Sequence, residues 1–587
     1  MYSYTSINDF MNDYKKKKID FPYKRLYYTD KQIHDMFNKL KNLDLSDRIY
    51  NKYYTIKNVK INTNNLLFYQ KPTILISKSS DYLDFSNLSD MFQEKNRMLC
   101  KFISAESSPM DYFHKHINNL CKDIFDKHKK INPHLLREQL YSNVKECSSF
   151  KTINMIYLVK LFKVKSVLDP SSGWGDRLIA SLICDIRYVG VDPNYLLHPV
   201  YNEMINFLKP TNKITLIESK IQDAKLPNEK FDMIFTSPPY YKIEKYSNKG
   251  ETTDKTEHDW FNNFMIPLIN TYKKLNNNGH LVLVINQMPY ETYIYKMLTY
   301  IRTIDDLYYI GVIGYADAKL SNPQPMWIWE RSKNIPINLY NPPVEISKHI
   351  INGIKYNVFR DDNLIGGTKQ RALVTMINQI CKKNKKIEKF IYAGPATGYA
   401  QIALAYCCYL TKKKAVIFTN TRTNLTKFAM SFTIELYEIN GTLETISKKA
   451  NEYYLKNKNN SYLIPFGLHD DLYKNNLIKN MKSALPSGIN PKRIWIVAGS
   501  ATILNVLYKI FPKTYFMVVQ VGRTIWDDLL DKKRTTLFVS KERFNDIAIE
   551  QPPYPTVSTY DAKLWTFFKQ HKQQDDYIWN VAKDVTI

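Results

Sequence analysis

A chain of 587 residues exceeds what one hydrophobic core holds and predicts roughly three or four structural units. With 44% hydrophobic and 14% aromatic residues it is no disordered chain, and no window approaches the ~18 consecutive apolar residues of a membrane span. Its 83 Lys and Arg against 56 Asp and Glu give a formal charge of +27, which permits a polyanionic partner, although the Lys-, Asn-, Ile- and Tyr-rich bias of an AT-rich genome alone produces such an excess.

The N-terminus MYSYTSINDFMNDYKKKK lacks an apolar signal core, and the seven cysteines form no C-x-x-C pair and no Cys/His cluster at zinc-ligand spacing. A soluble, intracellular protein without a structural metal is expected. Residues 1–145 carry helical-period segments such as DKQIHDMFNKLKNL and DYFHKHINNLCKDIFDKH, and predict a mostly helical N-terminal region. From Lys165 short β-rich runs alternate with helical stretches: KSVLD, RYVGVD, KITLIES, FDMIFTS and GHLVLVIN. That alternation predicts a parallel α/β sheet over 146–332. After MWIWE, the connector RSKNIPINLYNPPVEI opens a second α/β pattern, placed at 333–587 with the boundary near Ser332.

SVLDPSSGWGDRLIAS, from Ser166, reads as a strand, a Gly-containing turn and a helix start, where backbone N–H groups approach a ligand. Leu178 stands where a dinucleotide fingerprint has its third glycine, which argues against NAD. The next strand ends in Asp192, a carboxylate at a sheet edge suited to ribose hydroxyls; Asp223 follows the third strand, within reach of an adenine amine. The fourth strand ends in Thr236-Ser237-Pro238-Pro239-Tyr240. Each proline fixes φ and lacks an N–H, so the pair makes a rigid turn with a carbonyl oxygen free to point at a ligand. Asn341-Pro342-Pro343-Val344 and Gln551-Pro552-Pro553-Tyr554 also hold double prolines but close no apolar strand, and read as loops.

This ordered set resembles the class I S-adenosylmethionine-dependent methyltransferases, specifically the amino-methylating DNA methyltransferase group, over about Cys147 to Trp329. The resemblance implies a Rossmann-like domain that binds S-adenosylmethionine through Phe150, Asp169, Gly173, Gly175, Asp192 and Asp223. It implies that Ser237, Pro238 and Pro239 receive an exocyclic amine while Tyr240 stacks on a base outside the duplex, so that catalysis is mainly positioning. Adenine and cytosine both remain open as targets. No large target-recognition insertion fits between Tyr240 and Trp329, so sequence specificity would come from the N-terminal region or the second half.

In the second half, YNVFRDDNLIGGTKQRAL places Lys369 after Gly-Gly-Thr at a helix start, a position the helix dipole disfavours for a cation. The segment resembles the R-x-D-x-x-x-G-G-(N/T)-K-x-R pattern of fold-type II, tryptophan-synthase-β-like pyridoxal-phosphate enzymes, in particular the aminocyclopropane-carboxylate deaminase and D-cysteine desulfhydrase branch. The resemblance implies a second α/β domain with Lys369 as the cofactor-bearing lysine. FIYAGPATGYAQIALA would then lay Thr397, Gly398 and Tyr399 over the cofactor ring, with Tyr399 where the family has Asn. Gly499, Ser500 and Thr502 of IWIVAGSATILNVLY would hold the phosphate, and Tyr560 of TYDAKLWTFF would lie near the cofactor.

The expected protein is thus an α/β fusion of a nucleic-acid amino-methyltransferase, on DNA in preference to RNA, with a pyridoxal-phosphate enzyme-like domain. Two alternatives stand beside it: a lyase or deaminase with a small-molecule methyltransferase, and a degenerate nucleic-acid-binding protein. An AT-rich chain fusing such domains suits a large DNA virus or a phage.

Overall fold

Ser166–Asp169 is a strand because its apolar run is closed by Pro170-Ser171-Ser172-Gly173, which cannot extend it; Val167 and Leu168 are fully buried. The computed structural model describes residues 2–45, 49–51, 73–77, 88–241, 243–246, 256–286, 292–317, 324–432, 434–522 and 524–585. The chain divides into two compact units, the first reaching Lys333 and the second beginning at Asn334.

In the first unit Arg187–Asp192 and Phe231–Thr236 flank the central strand, both parallel to it. Ile214–Glu218 extends one side. Leu275–Val284 extends the other, followed by Gln324–Arg331, which is antiparallel to both of its neighbours, and by Leu307–Asp317. Thr73–Ser77 and Ile49–Asn51 complete a nine-stranded sheet. All the strands expected after Lys165 are present, and strand order reverses at Ser166–Asp169. Connecting segments leave such a point in opposite directions, which opens a crevice beyond the strands' carboxyl ends.

The N-terminal part is mainly helical, with short strands added to the sheet. Helix Asp30–Lys41 starts at a Thr29/Gln32 capping box and buries Ile33, Met36 and Leu40; Pro109–His128 starts at Ser108 and buries Phe113, Ile117 and Leu120. Ile33 and Leu40 share a core with Val167 and Met233 of the sheet, which ties this part to the α/β layer.

The second unit is also α/β, with two sheets. Ile346–Ile351 and Ile354–Arg360 form a hairpin across Asn352-Gly353, whose φ values of 50° and 76° fit a tight turn of the hairpin type. Asp576–Asn580, Arg493–Ala498, Tyr515–Gln520 and Thr535–Val539 continue that sheet in parallel. Glu435–Glu438, Lys414–Thr419, Lys389–Ala393 and Ser461–Ile464 make an all-parallel second sheet.

The two other double prolines lie in irregular backbone and serve packing. Buried Arg371 donates to Asn341 Oδ1 and to the Pro342 carbonyl, each at 2.7 Å, and Tyr554 packs edge-on against Trp565 in the core. Among the described residues no helix is long and apolar enough to cross a membrane.

Candidate functional site

A cavity of about 1290 Å³ occupies the crevice of the first unit. Phe150, Gly173, Asp192 and all of Ser237, Pro238, Pro239 and Tyr240 line it, so motifs scattered along the chain meet there. The turn after the central strand needs glycine: Gly173 has φ +56° and Gly175 has φ +83°. This conformation aims the Gly173 N–H at Asp192 Oδ2, 2.8 Å away, while the Asn194 N–H reaches Oδ1 at 2.9 Å. Burial pushes the Asp192 carboxyl up to about 6, against the pull of these two donors. Its remaining lone pairs are available to hydroxyls of a ligand.

At the other wall the Ser237 hydroxyl donates to the Val284 carbonyl at 3.2 Å, which leaves its oxygen as an acceptor toward the cavity. The Ser171 hydroxyl lies 3.3 Å from the Ser237 carbonyl and 2.6 Å from the Thr236 hydroxyl, fixing the turn from below. The Tyr240 hydroxyl accepts the Asn286 N–H at 2.9 Å, so the ring is tethered at its far end. Phe150 packs edge-on against Phe235, with centroids 5.5 Å apart, and the Arg177 guanidinium lies 5.0 Å from its ring. Trp174 fastens the segment before Phe150 by donating to the Ser148 carbonyl at 3.1 Å.

Three expected ligand residues stand elsewhere than in the cavity wall. Asp169 is fully buried and accepts from Arg177 Nε at 2.7 Å and from the Tyr188 hydroxyl at 2.8 Å. It holds the guanidinium of Arg177, which does line the cavity. Gly175 is the N-cap of helix Asp176–Ile183, and a Cβ there would come within 3.1 Å of Met204 Sδ. Asp223 is exposed and outside the wall, whereas Ile221 and Gln222 are in it. The loop after Ile214–Glu218 turns so that the residue before Asp223 faces inward.

In the second unit Lys369 ends a single 3-10 turn, Gly367–Lys369, and caps helix Gln370–Lys383. The glycine before it is obligatory, since Gly367 has φ +62° and its Cβ position lies 2.4 Å from the Val581 carbonyl oxygen. Burial pushes the Lys369 ammonium down from its ordinary range, with the nearby Asp561 carboxylate opposing. Asp561 is itself pushed up to about 8 by burial, against the pull of the Lys369 ammonium and of the Ala582 and Val581 N–H groups. The sequence pattern did not single out Asp561. Its signal was adjacency to Tyr560, whose hydroxyl lies 3.2 Å from the Cβ position of Gly499.

The remaining expected residues vary in freedom. Thr502 is buried and donates to the Gly467 carbonyl at 3.0 Å, whereas Ser500 is half-buried at the start of helix Thr502–Ile510. The Thr397 hydroxyl donates to Asn545 Oδ1 at 3.0 Å, and the Gly398 N–H donates to the Pro395 carbonyl at 2.9 Å. Tyr399 is buried and its hydroxyl donates to the Lys583 carbonyl, so it does not reproduce the amide donor of an asparagine.

No protein-family model and no curated protein matches the chain. Solved structures similar to it include an ACC deaminase homologue, at 17% identity and a TM-score of 0.36 over 43% of this chain and 92% of that one. A hydrogen sulfide-producing enzyme from Fusobacterium nucleatum is similar at 14% identity and a TM-score of 0.32, over 43% and 96% of the two chains. A pyridoxal 5'-phosphate-dependent aspartate racemase is similar at 10% identity and a TM-score of 0.32, over 41% and 91%.

The first site thus combines a carboxylate, a glycine turn, an acceptor wall and tethered aromatic rings around one cavity. The second combines a desolvated amine with a buried carboxylate beside a helix start. Ser171, Trp174, Arg177 and Asn286 were not anticipated as site residues; the first three fall inside the PSSGWGDR turn, and Asn286 ends the predicted strand run GHLVLVIN, two residues past the observed strand.

Proposed function

We propose that the first unit is an S-adenosylmethionine-dependent methyltransferase acting on the exocyclic amine of adenine or cytosine in nucleic acid. The observation that carries this reading is the meeting of Asp192, the Gly173 turn and Ser237-Pro238-Pro239-Tyr240 around one cavity at the point of strand-order reversal. A cavity of about 1290 Å³ exceeds the ~300–1,000 Å³ of ordinary ligand pockets, as a site for a cofactor and a base together requires. S-adenosylmethionine, when bound, supplies an electrophilic methyl group. Asp192 would hold ribose hydroxyls, and Arg177 with Phe150 would border the opposite end of the cofactor.

The Ser237 oxygen and the carbonyl following Pro238 would accept the two amine hydrogens, turning the nitrogen lone pair toward the methyl group. Tyr240 would cover the base, its tether to Asn286 lowering the entropy lost on stacking. No covalent intermediate with the protein is called for.

We infer in addition that the second unit is a fold-type II pyridoxal-phosphate enzyme-like domain. Lys369 would carry the cofactor, Asp561 would face its ring nitrogen, and Ser500 with the start of helix Thr502–Ile510 would take its phosphate. The cofactor, when bound, supplies an electron sink. A disfavoured ammonium beside a buried carboxylate suits that group.

The first reading is tested by incubating DNA and RNA with the protein and S-adenosylmethionine, then analysing nucleosides by mass spectrometry. N-methylated adenine or cytosine is expected with wild type and lost in Pro239→Ala. Absence of both products across a broad substrate panel refutes it.

A further inference from the structure

We propose, resting on the methyltransferase reading of this cavity, that its rim binds a single-stranded nucleic acid, with an unstacked base on Tyr141 and phosphates on Lys145 and Lys245. The chain leaving Tyr240 returns as the strand Glu244–Lys245 and pairs antiparallel with Lys101–Phe102. The Ile103 N–H extends this ladder to the Ile243 carbonyl at 2.9 Å. The N-terminal part is therefore laced directly onto the segment that follows the catalytic turn.

That clip concentrates positive charge. Its register sets Lys101 opposite Lys245, an arrangement in which like charges repel, and Lys145 Nζ lies 4.1 Å from the centroid of the Phe102 ring. Lys145 and Lys245 are exposed and line the cavity mouth. Three deeper cations of the same wall are already paired, Arg177 with Asp169 among them. Arg97 bonds Asp90 and Glu146, and Lys24 bonds Asp90 at 2.6 Å. A polyanion therefore meets exposed positive charge at the rim.

Beside these lysines Tyr141 is 60% exposed and Ile103 51% exposed, although both border the cavity. An exposed aromatic ring at this place is a stacking platform for a base next to the one received by Tyr240. Only a strand whose neighbouring bases are also unstacked can use it, which favours single strands over a duplex with one base flipped.

The test is fluorescence anisotropy of the full chain with a labelled single-stranded DNA oligonucleotide, an RNA of the same sequence and the annealed DNA duplex. Single strands should bind at least about tenfold tighter than duplex, and the tighter of the two names the nucleic acid. Lys145→Gln and Lys245→Gln should each lower the slope of log affinity against log salt by about 0.7, while Tyr141→Ala weakens binding about tenfold or more with its slope unchanged. Affinity for S-adenosylhomocysteine should stay at the wild-type level in all three variants. Duplex binding as tight as single-strand binding, or variants that bind like wild type, overturns the proposal. Single-strand binding without methyl transfer keeps the rim and removes the methyltransferase; methyl transfer to free nucleosides without oligonucleotide binding does the reverse.

Discussion

If Asp192 holds ribose hydroxyls, it must do so as a carboxylate, and protonation should weaken binding of S-adenosylhomocysteine, the demethylated product. Burial raises its titration to about 6. Binding favours the ionised form, so affinity should be full above pH 7 and fall as pH drops through 6. One unit below, at pH 5, about a tenth of the molecules are ionised and affinity should be about tenfold weaker, or about 1.4 kcal/mol. Two other groups lie close enough to confuse this result. Asp176 lines the same cavity and is also pushed up to about 6 by burial, and His198 Nε2 lies 2.9 Å from the Asp192 carbonyl oxygen. Asp192→Asn separates them, because it keeps the side-chain size and an acceptor for one N–H but removes this one titration. Calorimetric titration between pH 5 and 7.5 should show a sloping profile for wild type and a flatter, weaker one for the variant. Circular dichroism at each pH checks that the fold persists. Parallel profiles, or wild-type affinity undiminished at pH 5, would refute the assignment of Asp192.

Two other predictions concern the second unit. Incubation with pyridoxal phosphate near pH 7 and trapping with borohydride should modify Lys369 in preference to exposed lysines, because burial disfavours its protonated form; peptide mass spectrometry reads the site, and label spread over surface lysines without Lys369 refutes it. Arg371→Ala leaves fully buried Asp361 without its 2.7 Å partner and should cost about 3–5 kcal/mol in urea denaturation, with Arg371→Met/Asp361→Leu recovering most of the loss; a single variant as stable as wild type would show the pair to be dispensable.

Local patterns made much of this protein legible. The run KSVLD followed by Pro-Ser-Ser-Gly had to end a strand, and FDMIFTS followed by two prolines had to do likewise, since both signals act within a few residues. Capping at Thr29 and the apolar period of Ile33, Met36 and Leu40 likewise gave a helix with a buried face. Direction in space was less legible. Asp169 and Asp192 both end strands of the same sheet, yet one turns inward to Arg177 while the other opens to the cavity. Gln222 rather than Asp223 faces the crevice, a difference of one position in a loop without a repeating period.

By itself, then, the sequence determined the alternation of strands and helices, the two glycine turns and the rigid Pro238-Pro239 turn, because these depend on backbone sterics and short-range hydrophobic periodicity. The tertiary structure alone decided which carboxylate lines the cavity, Asp192, and which is taken up by an internal ion pair, Asp169. It also decided that Asp561 stands beside Lys369 and that Lys145 and Lys245 border the same cavity. Such pairings depend on strand order and register, and chain segments far apart in sequence acquire them only when the sheets assemble.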